Sequence, residues 1–401
     1  MTGAEIPYGA YWSTPFAKWG GTLAPFHSVR LAAFTARRAM ARRGIDPARI
    51  EHGVLGLTVP QHNSFYGLPW LMGMAGAPGV AGPTLNQACA TGARILAHAA
   101  GEVALGRARS VLALSADRTS NGPTMLYPDP AAPGGSPAHE RWVLDNFAHD
   151  PFARCAMVDT AENVAAREGI DLAEQHAVTV RRHEQYEAAL ADGQAFQRRY
   201  MELPMALPDR KWDGEAGFLA GDEGVYPTTA GKLATLKPVR EGGTVTFGGQ
   251  THPADGNAAV LVTDGETARE MSSRPEIRVR IVSFGEAREA PGFMPAAPIA
   301  AARKALDRAG LAIGDVDAIK SHNPFAVNDI TFARAFGIGW EGMNNFGSSL
   351  IWGHPQGPTG LRAIIELVEE LEMRGGGTGL FQGCAAGDSA MACVIVVEDR
   401  A

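Results

Sequence analysis

The chain has 401 residues, of which 45% are hydrophobic and 20% are charged, as in an ordinary globular protein. This length exceeds what one hydrophobic core usually organises, so we expect two domains or a duplicated one. The net charge of −7 argues against a nucleic-acid partner, which would require a basic surface. The sequence contains neither the long apolar run of a membrane span nor the pattern of a signal peptide, so we expect no membrane association.

The cysteines indicate a reducing environment. The four of them, Cys89, Cys155, Cys384 and Cys393, are irregularly spaced and form neither a metal-binding CxxC pattern nor a disulfide framework. We therefore expect a cytoplasmic protein with no structural metal.

The first part of the chain alternates between helices and buried strands. Helical spacing predicts a helix over 28–40, and apolar runs predict strands over 53–59 and 110–116. Between these strands, Cys89 stands just before a predicted helix over 93–105. This order is typical of a layered α/β sheet.

A segment of different character follows. Residues 123–137 are rich in Pro, Gly and Ala and predict a loop, and amphipathic helices are expected over 160–168 and 172–190. The sheet is predicted to resume with strands over 243–247 and 258–262. We interpret the intervening segment as an insertion.

The pattern of the first part repeats later in the chain. Residues 39–45 resemble residues 305–311, an offset of 310 − 44 = 266. The same offset from Cys89 leads to position 355, within the segment GHPQGPTG that contains His354 and opens a predicted helix over 361–373. We predict two similar α/β halves, each presenting a helix N-terminus to a shared site.

The residues at these helix starts suggest nucleophilic catalysis. A thiol at a helix N-terminus is close to unpaired N–H groups and the positive end of the peptide dipoles, which favour a thiolate at Cys89. The duplication places His354 opposite it, and Cys–His pairing is a common way to activate a nucleophile.

Two further segments carry polar or reactive groups. Cys384 lies in the turn GCAAGD after a strand-like segment, where a thiol can act as an acid or base and turn N–H groups can stabilise an oxyanion. His322 and Asn323 follow another predicted strand, in a position typical of site-forming loops. We expect Cys393, within an apolar run, to pack in the core.

These motifs together resemble those of the thiolase family. The resemblance rests on Cys89 in NQACATG, His322 in HNPFA, His354 in GHPQGPTG and Cys384 in GCAAGD, which occur in the family's order. The segment 248–256, GGQTHPADG, is similar to the glycine-rich loop that contacts the pantetheine arm of CoA in that family. The resemblance spans nearly the whole chain.

The resemblance implies a duplicated five-layered α/β/α/β/α fold with an inserted loop domain covering the CoA site. We accordingly predict an N-terminal half formed by 1–118 with 243–270, an insertion at 119–242, and a C-terminal half at 271–401. It also implies a homodimer or homotetramer that uses CoA and acyl-CoA as substrates without a separate cofactor.

The implied activity is acyl transfer to or from CoA, coupled to cleavage of a 3-ketoacyl-CoA or to Claisen condensation of two acyl-CoAs. Cys89 would carry the acyl group, and His354 would activate that thiol and help hold a thioester oxygen. Cys384 would exchange the α-proton of the attacking acyl-CoA. The N–H of Cys89 and one from the Cys384 turn would hold the other oxyanion. In the glycine-rich loop, Gly249, Thr251 and His252 would contact CoA.

The chain departs from the family pattern at three positions. His322 replaces the usual asparagine of the Asn-Glu-Ala-Phe motif, as in trifunctional-type and sterol-carrier-type thiolases, with Asn323 in the glutamate position. Ala386 stands where Cys-x-Gly is usual, and His252 where small residues are usual. These departures suggest an unusual acyl substrate.

Two other functions stay open from the sequence. One is a decarboxylating β-ketoacyl synthase, which would share the fold and use a cysteine with two histidines. The other is a non-catalytic CoA-binding subunit, which would have little need for a nucleophile and a base together. Aromatic residues that could line an acyl pocket are Phe65, Tyr66, Trp70, Tyr127 and Trp352.

Overall fold

The structure is a computed structural model that describes residues 3–120 and 122–400. The first half of the chain forms strands β1 to β6 and helices α1 to α3. Their bounds are β1 Glu5–Pro7, β2 Tyr11–Ser13, β3 Ala17–Lys18, α1 Ser28–Arg42, β4 His52–Gly56, α2 Gly67–Ala75, β5 Thr84–Leu85, α3 Thr91–Ala104 and β6 Ser110–Arg118.

The middle of the chain contains two short hairpins and four helices. Their bounds are β7 Thr124–Tyr127, β8 Ala138–Arg141, α4 Trp142–Ala148, α5 Met157–Glu168, α6 Leu172–Arg198, β9 Met205–Pro208, β10 Glu215–Leu219 and α7 Ala230–Leu233. All of these elements lie within the predicted insertion; the domain boundaries themselves stay a prediction.

The last part returns to long buried strands. Its elements are β11 Ala254–Thr263, α8 Gly265–Met271, β12 Ile277–Arg288, α9 Ala297–Ala309, β13 Ala318–His322, α10 Ala326–Phe336, α11 Ser349–Trp352, α12 Gly357–Met373, β14 Gly376–Ala385 and β15 Ser389–Asp399.

The long strands form one mixed sheet in the order β13-β14-β15-β12-β1-β11-β6-β4-β5, with β2 and β3 also paired to β11. The short strand β1 joins the two half-sheets, since it pairs antiparallel with both β11 and β12. Strands β4 and β6 are parallel, and so are β13 and β14 at the corresponding place in the second half.

Alternation along the strands shows the layers. On β6, Val111 and Ala113 face a core shared with α3 and α12, whereas Leu112 and Leu114 face α1 and α2. On β15, Ile395 faces that same shared core, and the opposite face packs against α9 and α10. Since both faces are covered, the strands are continuous apolar runs, as predicted. Helices α3 and α12 form the middle of five layers.

The duplication is confirmed. Strand β13 begins 318 − 52 = 266 residues after β4, α12 begins 357 − 91 = 266 after α3, and β14 begins 376 − 110 = 266 after β6. The two middle helices therefore start side by side, each at the end of a short loop.

One predicted strand is wrong. Residues 243–247 lie outside the sheet: 243–246 form a loop with an isolated bridge at Thr246, and Phe247 begins a short 3₁₀ helix. The N–H groups of Thr244 and Val245 donate to the Glu162 carboxylate at 2.9–3.0 Å. This acidic side chain on α5 takes the place of a neighbouring strand.

The starts of α3 and α12 contact each other through backbone. A Cβ placed on Gly92 would lie 2.6 Å from the Gly357 carbonyl oxygen and 2.7 Å from the Leu361 nitrogen. Only a glycine allows this approach.

We therefore expect Gly92→Ala to lower the free energy of unfolding by about 1–3 kcal/mol, because neither backbone can yield easily. Gly101→Ala is the matched control in the same helix, since a Cβ there meets nothing within 4 Å. It should be neutral or stabilise by up to about 1 kcal/mol. Urea unfolding of both variants measures the difference, and equal midpoints would contradict the predicted contact.

Candidate active site

Cys89 lies in the turn that leads into α3. Its neighbour Ala88 has φ of 44°, in the left-handed region, so the turn is tight at the thiol. The Cys89 thiol is half-buried and donates to Gln356 Oε1 at 3.2 Å. Gln356 itself has φ of 65° and stands at the corresponding turn before α12. Gln356 was not identified as a site residue from the sequence, although the 266-residue offset places it opposite Ala90.

Two histidines complete the centre with Cys89. His322 ends β13 and His354 lies in the loop before α12, and their rings stack with centroids 4.0 Å apart. One ring nitrogen of each histidine and the Cys89 Sγ all lie within 4.8 Å of one another. The structure therefore brings three of the four predicted catalytic residues together. Since thiolate and imidazole are also metal ligands, the absence of a metal here stays a prediction.

Each histidine is held through Nδ1. His322 Nδ1 lies 2.9 Å from Ser349 Oγ, and His354 Nδ1 lies 2.6 Å from Thr359 Oγ1. Both Nε2 atoms are buried, and neither has a hydrogen-bond partner among the described residues. Two unpartnered buried polar atoms beside a thiol are typical of a site that receives a polar group of a substrate.

Burial keeps these groups neutral in the free protein. It lowers the pKa of His322 to about 3, and it lowers the pKa of His354 well below its ordinary value, with smaller effects from His322 and His252.

Burial also raises the pKa of Cys89 to about 12, although N–H groups of Ala386 and Cys89 act in the opposite direction. Desolvation thus outweighs the contribution of the helix start that favours a thiolate, so a base must remove the proton.

The histidine shifts predict acid sensitivity. Below pH ~6.5, His322 and His354 are protonated in the unfolded chain but stay neutral in the folded protein. The free energy of unfolding therefore decreases as the pH falls. Each histidine contributes a slope of up to about 1.4 kcal/mol per pH unit. We expect His322→Asn to reduce the slope by that amount between about pH 6 and pH 4, measured by urea unfolding. An unchanged slope would contradict the burial of a neutral His322.

Cys384 lies behind this centre at the end of β14. The side chain is fully buried, and the Asn328 amide donates to its Sγ at 3.3 Å. Burial raises the pKa of Cys384 above its ordinary range, and nearby Cys89 raises it further. Ala386, two residues on, directs its N–H at the Cys89 sulfur, so replacing the usual glycine preserves that donor. Cys393 packs in the shared core, as predicted.

An ion-pair and hydrogen-bond frame supports the loops. Asp117, at the end of β6, accepts from the N–H of Gly357 at 3.0 Å and from Thr58 and Val59 at 2.8–2.9 Å. Burial raises the pKa of Asp117 to about 7. On α12, Arg362 donates to Asp222 of the middle segment at 2.6 and 2.8 Å. These contacts connect the helix starts to the walls around the thiol.

A pocket of about 790 Å³ opens onto Cys89 and His354. Part of its wall is apolar and comes from the loop after β4 and from α4 and α5: Val59, Trp142, Val143, Phe147, Met157 and Val158. Another part includes Thr251 and His252, whereas Gly249 is buried next to the pocket-lining Gly248. Among the described residues, no Lys or Arg lines this pocket.

None of the aromatic residues suggested from the sequence lines the pocket. Phe65 is 95% exposed and Trp352 is fully buried beneath the site. Trp142, Phe147, Tyr226, Phe247 and Phe325 line it instead. Trp142, Phe147 and Tyr226 reach the pocket because the middle segment folds over the site, which local sequence does not encode.

His252 joins the loop to the catalytic centre. Its backbone oxygen accepts from the His354 backbone N–H at 2.9 Å, and its Nε2 lies 3.2 Å from the backbone carbonyl oxygen of Glu223. Thr251 is also fixed, since its N–H donates to the backbone carbonyl of Pro324 at 2.7 Å.

Among the described residues, no helix is both long and apolar enough to cross a bilayer.

Comparisons with known proteins agree with this geometry. The family model "Thiolase, N-terminal domain" matches residues 10–266, and "Thiolase, C-terminal domain" matches residues 275–397. The beta-ketothiolase BktB of Cupriavidus necator is 29% identical over 95% of this chain and 96% of its own. The 3-ketoacyl-CoA thiolase of Bacillus subtilis is 30% identical over 96% of both chains.

Solved structures agree as well. The crystal structure of the Bacillus anthracis acetyl-CoA acetyltransferase superposes with a TM-score of 0.88, at 27% identity and over 98% of both chains. These matches support the predicted fold and enzyme class, and nothing in them favours a decarboxylating synthase. The chain belongs to the thiolase family and is a thiolase-type acyltransferase.

Proposed function

We propose that this protein transfers an acyl group between Cys89 and CoA, either cleaving a 3-ketoacyl-CoA or condensing two acyl-CoAs. The main support is one cluster of a half-buried thiol, two histidines and a second thiol behind them. Within the part of the chain that the structure describes, the Nε2 atoms of both histidines have no hydrogen-bond partner. This set supplies nucleophile, base, oxyanion donors and acid.

Each group has a role in the proposed reaction. The histidine pair takes the Cys89 proton, and the thiolate attacks the thioester or ketone carbonyl. His354, which lines the pocket, donates to a substrate oxygen, and the N–H groups of Cys89 and Ala386 surround the other oxygen. In cleavage, Cys384 then gives a proton to the α-carbanion of the departing acyl-CoA. In condensation, it removes a proton from the α-carbon of the attacking acyl-CoA. Preorganised donors of this kind contribute about 3–4 kcal/mol each to the barrier reduction.

Substrates are proposed from the pocket wall. The pantetheine arm lies along the loop with Gly248, Thr251 and His252, with Gly249 shaping the loop from behind. The acyl group then packs against the apolar wall that includes Trp142 and Val143. Because no described Lys or Arg lines the pocket, a carboxylate on the acyl group would lose its hydration without gaining a partner. A neutral, apolar acyl group is therefore preferred.

A panel of 3-ketoacyl-CoA thioesters tests this function. We expect CoA-dependent cleavage of acetoacetyl-CoA, 3-ketooctanoyl-CoA and benzoylacetyl-CoA, and a kcat/KM at least about tenfold lower for 3-ketoadipyl-CoA, whose chain ends in a carboxylate. Cleavage of none would contradict the acyltransferase function. A preference for the charged substrate would contradict only the proposal that the apolar pocket wall binds a neutral acyl group.

The setting of the enzyme is part of the proposal. Since all four cysteines are free thiols, we propose a cytoplasmic protein, and by likeness to its family a homodimer or homotetramer.

A further inference from the structure

Cys89, His322 and His354 have the composition of a soft-metal site. Their ligand atoms, the Cys89 Sγ and one nitrogen of each ring, all lie within 4.8 Å of one another. In the part of the chain that the structure describes, no other three His, Cys, Asp or Glu side chains meet in this way. One thiolate and two imidazoles form a ligand set that suits zinc, whereas magnesium and calcium prefer oxygen ligands.

Each ring has a nitrogen that is available for a new bond. The Nδ1 atoms contact the hydroxyls of Ser349 and Thr359 at 2.9 and 2.6 Å, whereas the Nε2 atoms are buried and have no partner among the described residues. A metal ion bound through Nε2 would displace neither hydroxyl. Such outer contacts also orient metal-binding histidines, since a ligating histidine commonly donates its other N–H to an oxygen.

The charges around the thiol favour a cation. A pocket of about 790 Å³ opens onto Cys89 and His354, and no described Lys or Arg lines it. Burial and, after it, the negative charge of Asp117 raise the pKa of the Cys89 thiol. A divalent cation therefore enters without meeting a positive side chain. At the sulfur, its charge counteracts both effects that oppose the thiolate.

The distances require only a small contraction of the site. Zinc bonds of about 2.0–2.3 Å place tetrahedral ligand atoms about 3.3–3.8 Å apart, so atoms within 4.8 Å of one another need to approach by at most about 1.5 Å. Gln356 is placed to supply a fourth ligand, since its Oε1 lies 3.2 Å from the Cys89 Sγ. The site thus offers one sulfur, two nitrogens and one oxygen.

We propose that zinc binds to Cys89, His322 and His354 and thereby inhibits the enzyme reversibly. Binding goes beyond the acyl-transfer function, because it needs no substrate and the proposed reaction uses no metal; only the inhibition rests on that function. His322 distinguishes this chain from most thiolases in this respect. The asparagine usual at its position offers an amide, a much weaker zinc ligand than imidazole, and would leave only two strong ligands.

Binding and inhibition follow from one exchange. The S–H bond of Cys89 breaks, its electron pair forms the bond to zinc, and the proton passes to water or buffer. The two neutral imidazoles each give a lone pair and release no proton. The zinc-bound sulfur no longer attacks a thioester, and His354 no longer donates to a substrate oxygen. Once acylated, Cys89 is a neutral thioester with little affinity for zinc, so the acyl group and the metal exclude each other.

Cobalt(II), which occupies zinc sites and absorbs light, tests the site without any substrate. We expect one cobalt ion per chain, with a thiolate-to-cobalt charge-transfer band that disappears when zinc chloride displaces the cobalt. Cys89→Ser should abolish the band. Cys155→Ser, which removes a cysteine outside the pocket, should leave it unchanged. No band in the unmodified protein, or a band that survives Cys89→Ser, would overturn the proposal.

His322→Asn tests the histidine that sets this chain apart. Outer contacts of a metal site are commonly worth 10–100-fold in affinity, so losing a direct ligand should weaken zinc binding by about 100-fold or more. Calorimetric titration with zinc chloride measures the affinity of both proteins. The result is independent of how the substitution affects catalysis, because no substrate is present. An unchanged affinity would show that His322 is not a ligand.

Acylation provides an arm that needs no substitution. Protein acylated at Cys89 should not form the cobalt band, and treatment with CoA followed by gel filtration should restore it. Zinc chloride should stop cleavage of a 3-ketoacyl-CoA, and EDTA should restore the full rate. An acylated protein that still forms the band, or cleavage that persists at saturating zinc, would overturn the proposal. Cobalt bound at Cys89 in a protein without any acyltransferase activity would instead contradict the proposed function.

Discussion

Cys89→Ser is expected to lower CoA-dependent cleavage of 3-ketoacyl-CoA by at least about 10⁴-fold, the order of loss seen when a nucleophile is removed from a catalytic set. A serine hydroxyl is far harder to deprotonate than a thiol, and the neutral histidines of this site are weak bases. The measurement is the rate at which the 3-ketoacyl-CoA substrate is consumed at saturating CoA.

Cys155→Ser is the control for this change. It makes the same exchange of thiol for hydroxyl at a half-buried cysteine outside the pocket. Its cleavage rate should equal that of the unmodified protein. If Cys89→Ser retained activity within tenfold, Cys89 would not be the nucleophile.

Cys384→Ala is expected to separate two parts of the reaction. Acylation of Cys89 should persist, because Cys89, His322 and His354 remain, but exchange of the α-proton of acetyl-CoA with solvent should fall by about 10²–10⁴-fold. Exchange is followed by deuterium incorporation, and acylation by the mass of the protein.

Cys393→Ala is the matched variant. Cys393 is equally buried on the neighbouring strand β15, so both substitutions remove a buried sulfur. Both variants should lose some stability, but only Cys384→Ala should lose exchange. Equal exchange in the two would remove Cys384 from the proton transfer.

Much of the architecture was predictable because the duplication leaves a repeat in the sequence. Residues 39–45 and 305–311 gave the 266-residue offset, and that offset placed His354 opposite Cys89 before any contact was known. Strands buried on both faces carry continuous apolar runs, so β4, β6 and β11 were also recognisable.

The parts that could not be predicted depend on contacts between distant segments. The strand expected at 243–247 was wrong because Glu162, about 80 residues away, binds its N–H groups. Gln356 and Ser349 look like ordinary polar residues in the sequence, and only the folded loops bring them to Cys89 and His322. The raised pKa of Cys89 could not be predicted either, because it depends on how deeply the folded site buries the thiol.

The central claim is that Cys89 carries the acyl group. Mixing the protein with an acyl-CoA, quenching in acid and mapping the peptides by mass spectrometry tests this most directly. We predict one acyl group per chain, on the peptide that contains Cys89, lost on addition of CoA. Acylation at Cys384 or at another residue, or no acylation by any neutral acyl-CoA, would contradict it.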